Sequence, residues 1–322
     1  MTALAALERV IVDFRGGGRT LRALDEVSLE IAPGESLGVV GESGSGKSTL
    51  ARALLALVSP DSGRALYRGA DLATLRGEAL RRLRRRLAIV FQNPASSFDP
   101  RRSIGESVGE PLGVHEPTLA AAARAHRVAA MLVRTGLDPA LAARRPHELS
   151  GGQCQRAAIA RAMITSPELV VCDEATSALD FSVQSQIVNL LVELGGERAV
   201  AYLFISHNLA VVRRVATRVL VLYRGRIVEA APREALFAAP RHPYTRLLLD
   251  SVPTLAGPAP AALAVPPETA SPFERARGCG FAGRCRHAVA RCLEAPPALE
   301  TVAPGHAVAC VRWREGVAAP AA

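Results

Sequence analysis

The sequence predicts an α/β fold with a sheet buried on both faces, and three observations predict it. Gly41-Glu42-Ser43-Gly44-Ser45-Gly46-Lys47-Ser48 fits G-x-x-x-x-G-K-[ST] at every fixed position. An apolar stretch, Ser36 to Val40, enters that loop, and Leu50, Ala53, Leu54 and Leu57 leave it at i, i+3, i+4 and i+7, so a strand precedes the loop and a helix follows. Further on, Leu169 to Cys172, Ala201 to Ile205 and Val219 to Leu222 are continuous apolar runs of strand length.

The remaining elements follow in chain order. The opening 38 residues alternate apolar and polar positions around Gly16-Gly17-Gly18, with Leu7, Val10 and Val12 before the turn and Val27, Leu29 and Ile31 after it. That pattern predicts antiparallel strands. Within the loop, the glycines let backbone N–H groups curl around phosphates. Lys47 is the only lysine among 39 basic residues. A compact ammonium suits the enclosed position, whereas a planar guanidinium would clash, so the loop is expected to bind a nucleoside triphosphate. An alanine-rich helix is expected over 119–136, stopped by Gly136, inside a helical insert. Residues 257–272 are too proline-rich for helix or central strand and read as a linker.

Composition narrows the class. With 322 residues, 49% of them hydrophobic, the chain can bury a full core, and about two domains are expected. No apolar run approaches the roughly 18 residues of a membrane span, and the N-terminus lacks a basic-then-apolar signal, so a cytoplasmic protein is expected. A net charge of +9 leaves open nucleic acid, an anionic membrane surface, or no partner at all. The run Arg81 to Arg86, broken only by Leu83, reads first as a solvated helix end and second as a phosphate or lipid patch.

Other segments choose among the enzymes that share such a loop. Leu149-Ser150-Gly151-Gly152-Gln153 opens a predicted helix whose glycines leave N–H groups for an anion. Twenty residues beyond Gln153, an apolar strand ends in Asp173 and Glu174, where one carboxylate can hold Mg²⁺ and the other can orient water. Ser177-Ala178-Leu179-Asp180 and His207 complete the set.

In that order and spacing these segments resemble the ATP-binding cassette (ABC) family, over roughly residues 5–255. The resemblance implies a phosphate-loop NTPase with a RecA-like α/β core, an N-terminal antiparallel β subdomain and a helical subdomain at about 93–165. It divides the chain into an ATPase domain (1–255), a linker (256–272) and a Cys-rich extension (273–322). It implies that Gly41, Ser43, Gly44, Ser45, Gly46, Lys47, Ser48 and Thr49 hold ATP, and that Ser48, Gln92 and Asp173 serve Mg²⁺. Glu174 would polarise the attacking water, with His207 on the γ-phosphate and Gln92 sensing metal and water. Ser150 to Gln153 and Asp180 would complete the nucleotide site across a head-to-tail cassette dimer, and Phe14 is the candidate to stack on adenine. A buried aromatic is the plain alternative for Phe14.

Two segments resemble the subgroup that energises import of oligopeptides, dipeptides and nickel: Phe91-Gln92-Asn93-Pro94 through Pro100, and Arg241-His242-Pro243-Tyr244-Thr245. The implied role is the ATP-hydrolysing subunit of a peptide importer. It would lie peripherally on the cytoplasmic membrane face, with a second cassette (self or paralogue), two transmembrane permeases and, indirectly, a solute-binding protein. Nickel or another small solute is the alternative cargo. A soluble cassette acting on nucleic acid is the rival; it usually carries two cassettes or a long insert, which this chain lacks, so no nucleic acid is expected.

Cys279, Cys285, Cys292 and Cys310 crowd one C-terminal stretch whose spacing is neither a zinc ribbon nor a bacterial ferredoxin. Cys279-Gly280-Phe281, Arg284-Cys285 and His306-Ala307-Val308-Ala309-Cys310 match the wording of that subgroup's tail. The resemblance implies a [4Fe–4S] cluster; Zn²⁺ and unligated thiols stay as alternatives. Cys154 and Cys172 read as packing residues.

Overall fold

In the computed structural model, residues 3–175, 180–196, 199–251 and 277–317 are described. They fall into two units: Ala6–Leu29, Leu37–Ala65 and His207–Ala322 form one, and Met1–Ala5, Glu30–Ser36 and Leu66–Ser206 the other. The proline-rich stretch 256–272 and Ser177 to Leu179 lie outside the described residues.

The first unit begins with the strands Ala5–Gly16 and Arg19–Ile31, neighbours in one sheet. Leu7, Val10 and Val12 are buried, as their alternation predicts. The strand Ser36–Val40 pairs in parallel with Arg218–Tyr223, Val40 opposite Val221. Arg224 and Gly225 both take positive φ, 45° and 78°, which gives the tight turn that returns the chain antiparallel as Arg226–Pro232. One expectation fails after the loop: the helix spans Lys47–Leu54 and stops short of Leu57, which is exposed. Ala56 adopts φ 53°, and the Leu57 N–H donates to the Arg52 carbonyl at 2.8 Å. This is a Schellman-type closure with alanine in the position usually held by glycine.

The Cys-rich extension joins this sheet. His306–Val308 pairs antiparallel with Arg226–Pro232, Val308 opposite Glu229, and Glu300–Ala303 pairs with His306–Val308. Strands of three and four residues carry too few alternations to be read from sequence. Glu229 is fully buried at this junction. Its carboxylate accepts the backbone N–H groups of Arg241 (2.7 Å) and His242 (2.9 Å) and meets His306 Nε2 at 2.7 Å. One buried acid thus ties the His-Pro-Tyr element and the tail to the same strand.

His242 caps the helix Pro243–Asp250, its Nδ1 accepting the Tyr244 N–H at 3.0 Å, and Pro243 takes the first helical position. Burial lowers the His242 pKa to about 4. The unfolded chain binds this proton near pH 6.5, so the folded state loses stability as pH falls from 6.5 to 4 and gains it as pH rises through that window. The wild type is expected to lose about 3 kcal/mol more than His242→Asn across that range, by denaturant melts at each pH. Parallel pH profiles for the two proteins would contradict a neutral, buried His242.

In the second unit, Leu87–Val90, Leu169–Asp173 and Ala201–Ile205 lie parallel, Val171 between Ile89 and Leu203. The second and third are apolar runs of the sequence and are buried through their middle residues, while Leu87–Val90 is half-buried up to Val90. The helices Ile104–His115, Ala121–Arg134 and Gly151–Met163 pack on one another and bury Leu112, Leu132 and Ile159. The helix expected over 119–136 starts two residues later, and Gly136 follows it at φ 71°. The arginine run forms the end of the helix Gly77–Arg86. Arg81 pairs with Glu78, Arg85 with Glu116 and Arg86 with Glu168, which favours a paired helix end over a phosphate or lipid patch. Among the described residues no helix is long and apolar enough to cross a membrane.

Candidate nucleotide site and C-terminal cysteine cluster

In the first unit the glycine loop sits between its strand and its helix, as its sequence requires. Gly46 has φ 105°, and a Cβ there would meet the Ala23 carbonyl oxygen at 2.4 Å. A Cβ on Gly41 would meet the Leu222 carbonyl oxygen at 2.2 Å. Neighbouring backbone therefore fixes the loop as well as its own conformational demand. The Lys47 ammonium is buried and donates to the carbonyls of Gly41 (2.8 Å) and Glu42 (2.7 Å). Ser45 is buried, while Ser43 and Gly44 are exposed and Ser48 and Thr49 half-buried. Phe14 is 42% exposed on its strand, so the plain reading of a buried aromatic does not hold. His207 is exposed beside Asn208, which caps the helix Leu209–Val215 by accepting the Ala210 N–H at 3.0 Å.

In the second unit the paired carboxylates close the strand Leu169–Asp173. Glu174 takes φ 50°, a left-handed conformation uncommon outside glycine, and its N–H donates to the Ile205 carbonyl at 2.9 Å. Strain of this kind clusters where a side chain must be aimed. Gln92 is exposed two residues beyond the strand Leu87–Val90. Ser150 caps the helix Gly151–Met163: its hydroxyl accepts the Gln153 N–H at 3.3 Å, and Gln153 Oε1 accepts the Ser150 N–H at 2.9 Å. The polar ends of Ser150-Gly151-Gly152-Gln153 thus fix the helix start around two glycines. Asp180 is exposed, and its carbonyl accepts the Gln184 N–H at 2.8 Å.

The sequence reading missed what lies behind the loop. Tyr244, fully buried, accepts the Glu42 N–H through its hydroxyl at 2.8 Å. Arg284, from the tail, forks onto the Glu42 carboxylate, Nη1 to Oε2 at 2.8 Å and Nη2 to Oε1 at 2.9 Å. Tyr223, Tyr244 and Phe281 pack against one another at tilted to edge-on angles, with ring centroids 4.5 to 5.5 Å apart. Only the His-Pro-Tyr wording and Arg284-Cys285 hinted at these partners.

All four tail cysteines line one small cavity with His242, Phe281 and His287. Burial raises the thiol pKa of Cys279 and Cys285, and pushes Cys310 up to about 11. Among the described residues, however, no three His, Cys, Asp or Glu side chains stand in a metal-ligating arrangement. Cys154 and Cys172 are buried packing residues, as expected.

A family model described as ABC transporter matches residues 24–177, and one described as oligopeptide/dipeptide transporter, C-terminal region, matches 228–292. The probable peptide ABC transporter ATP-binding protein y4tS of Sinorhizobium fredii is 48% identical over 299 residues, 92% of this chain and 84% of the relative. The oligopeptide transport ATP-binding protein OppF of Salmonella typhimurium is 43% identical over 300 residues, 91% and 89%. Among solved structures, the dimeric ATP-binding cassette MJ0796, in a post-hydrolysis state bound to ADP and Pi, matches with TM-score 0.66 at 29% identity, covering 71% of this chain and 98% of that one. The cbiO1 protein of Clostridium perfringens, part of the transporter complex cbiONQ, matches with TM-score 0.65 at 28% identity, covering 74% and 92%.

Proposed function

Because the chain belongs to the ATP-binding cassette transporter family, we propose that it is the ATP-hydrolysing subunit of an importer for oligopeptides or dipeptides. One observation carries the peptide reading: the segment matched by the peptide-transporter C-terminal region is built onto the nucleotide loop, Tyr244 holding the backbone of Glu42. An appendage unrelated to the cassette's work would have no reason to brace that loop.

In this reading Lys47 and the loop N–H groups hold the β- and γ-phosphates, and Phe14 stacks on the adenine. Ser48, Gln92 and Asp173 offer the oxygen ligands that would hold Mg²⁺, which would offset the negative charge of the phosphates. Glu174 polarises the attacking water, while His207 and Gln92 keep water and γ-phosphate in register. Phosphoryl transfer asks for positioning and charge stabilisation more than for a nucleophile. Ser150 to Gln153 and Asp180 serve the partner cassette's nucleotide in a head-to-tail dimer, with self or a paralogue. ATP favours the closed dimer, and that difference in affinity moves two permease subunits between access states. Residues 1–255 make the cassette, with a helical part at about 93–165, and 273–322 the extension. The subunit lies peripherally on the cytoplasmic face of the membrane. Affinity capture of the full chain from detergent-solubilised native membranes tests this assignment. It should recover two integral membrane subunits, and recovery of nucleic-acid machinery in their place would refute it.

For the extension the same reading takes a [4Fe–4S] cluster, with structural zinc as the alternative. Support comes from the donor set: four soft thiols line one cavity, and a metal would bind them as thiolates by displacing their protons. Anaerobically purified protein is expected to be brown with about four irons per chain. Tightly bound zinc and no iron would replace the cluster with a zinc site, and four freely titrating thiols without metal would end the ligand role.

A further inference from the structure

We propose that Arg284 is a positioning residue for nucleotide binding: it neutralises and pins Glu42, the one carboxylate of the phosphate loop, so that the loop can accept a polyphosphate. The inference rests on the reading of that loop as an ATP site. A carboxylate inside a loop that gathers N–H groups and one ammonium around phosphates works against the ligand unless its charge is met. In this structure it is met by a bidentate guanidinium, the geometry that holds a carboxylate most firmly. Arg284 is well packed, its side chain 13% exposed and its guanidinium 5.7 Å from the Phe281 ring, while Glu42 is 37% exposed. The arginine is therefore held in place by the tail, and the glutamate is held by the arginine.

The path between them is short. Arg284 closes the 3₁₀ turn Ala282–Arg284, directly before Cys285, and Phe281, the residue before that turn, packs on Tyr223 and Tyr244. Tyr244 fixes the Glu42 backbone while Arg284 fixes its side chain. The Cys-rich extension thus reaches the nucleotide loop directly through the Arg284–Glu42 ion pair, and indirectly through Phe281 packed on Tyr244, which holds the Glu42 N–H. Whatever order the cysteine cavity imposes on this turn is passed to Glu42.

The test is equilibrium titration of the full-length chain with a fluorescent ATP analogue and Mg²⁺, alongside melting temperatures without nucleotide. Arg284→Gln leaves the Glu42 charge unmet, and binding should weaken about tenfold. Adding Glu42→Gln should restore affinity to within about twofold of the wild type, because the charge that opposed the phosphates is gone. A merely structural anchor would gain nothing from the loss of its second half. Glu42→Gln alone should bind at least as tightly as the wild type, a result that does not depend on how well Arg284→Gln folds. Wild-type affinity in Arg284→Gln, a double variant as weak as Arg284→Gln, or weakened binding in Glu42→Gln would each overturn the proposal. Absence of binding by the wild type would instead remove the ATP reading, and this inference with it.

Discussion

Glu174→Gln is expected to bind ATP normally and to lose about a hundredfold to ten-thousandfold in turnover, the range that a positioned general base supplies. The amide has the volume of the carboxylate and can keep the left-handed backbone at this position, but it cannot draw a proton from water. In the proposed cycle hydrolysis reopens the dimer, so the variant should also accumulate as a closed pair of cassettes in ATP, visible by size-exclusion chromatography. Turnover at the wild-type rate would remove Glu174 from the reaction.

Lys47→Arg is expected to fail one step earlier. Lys47 is 5% exposed and its ammonium already lies within 2.8 Å of two loop carbonyls, so the longer, planar guanidinium has no room to turn toward a phosphate. Losing charge-assisted contacts to the β- and γ-phosphates should weaken ATP binding about a hundredfold. An unchanged affinity would mean that the loop tolerates arginine and that the single lysine in the chain carries no message.

Elements whose chemistry is local could be read from the sequence. The phosphate loop, the strand ending in Asp173 and Glu174, and the helix opened by Ser150 each need only consecutive residues, and each stands where its wording placed it. The partners of Glu42 were hidden because Arg284 lies 242 positions away, and no periodicity records an ion pair of that span. Glu229 reads as an ordinary polar residue in a strand, yet burial makes it the acceptor of two backbone N–H groups and the partner of His306. The end of the first helix misled for the opposite reason: Leu57 fits the helical period, but Ala56 adopts a left-handed turn that alanine's side chain gives no reason to expect.

The central claim is that ATP hydrolysis by this chain drives peptide entry. The most direct measurement is uptake of labelled di- and oligopeptides by membrane vesicles carrying the captured complex, supplied with solute-binding protein on one face and ATP on the other. Peptide should accumulate only with hydrolysable ATP, and Glu174→Gln should abolish it. Accumulation that survives Glu174→Gln, or ATP-driven uptake of nickel and of no peptide, would contradict the account.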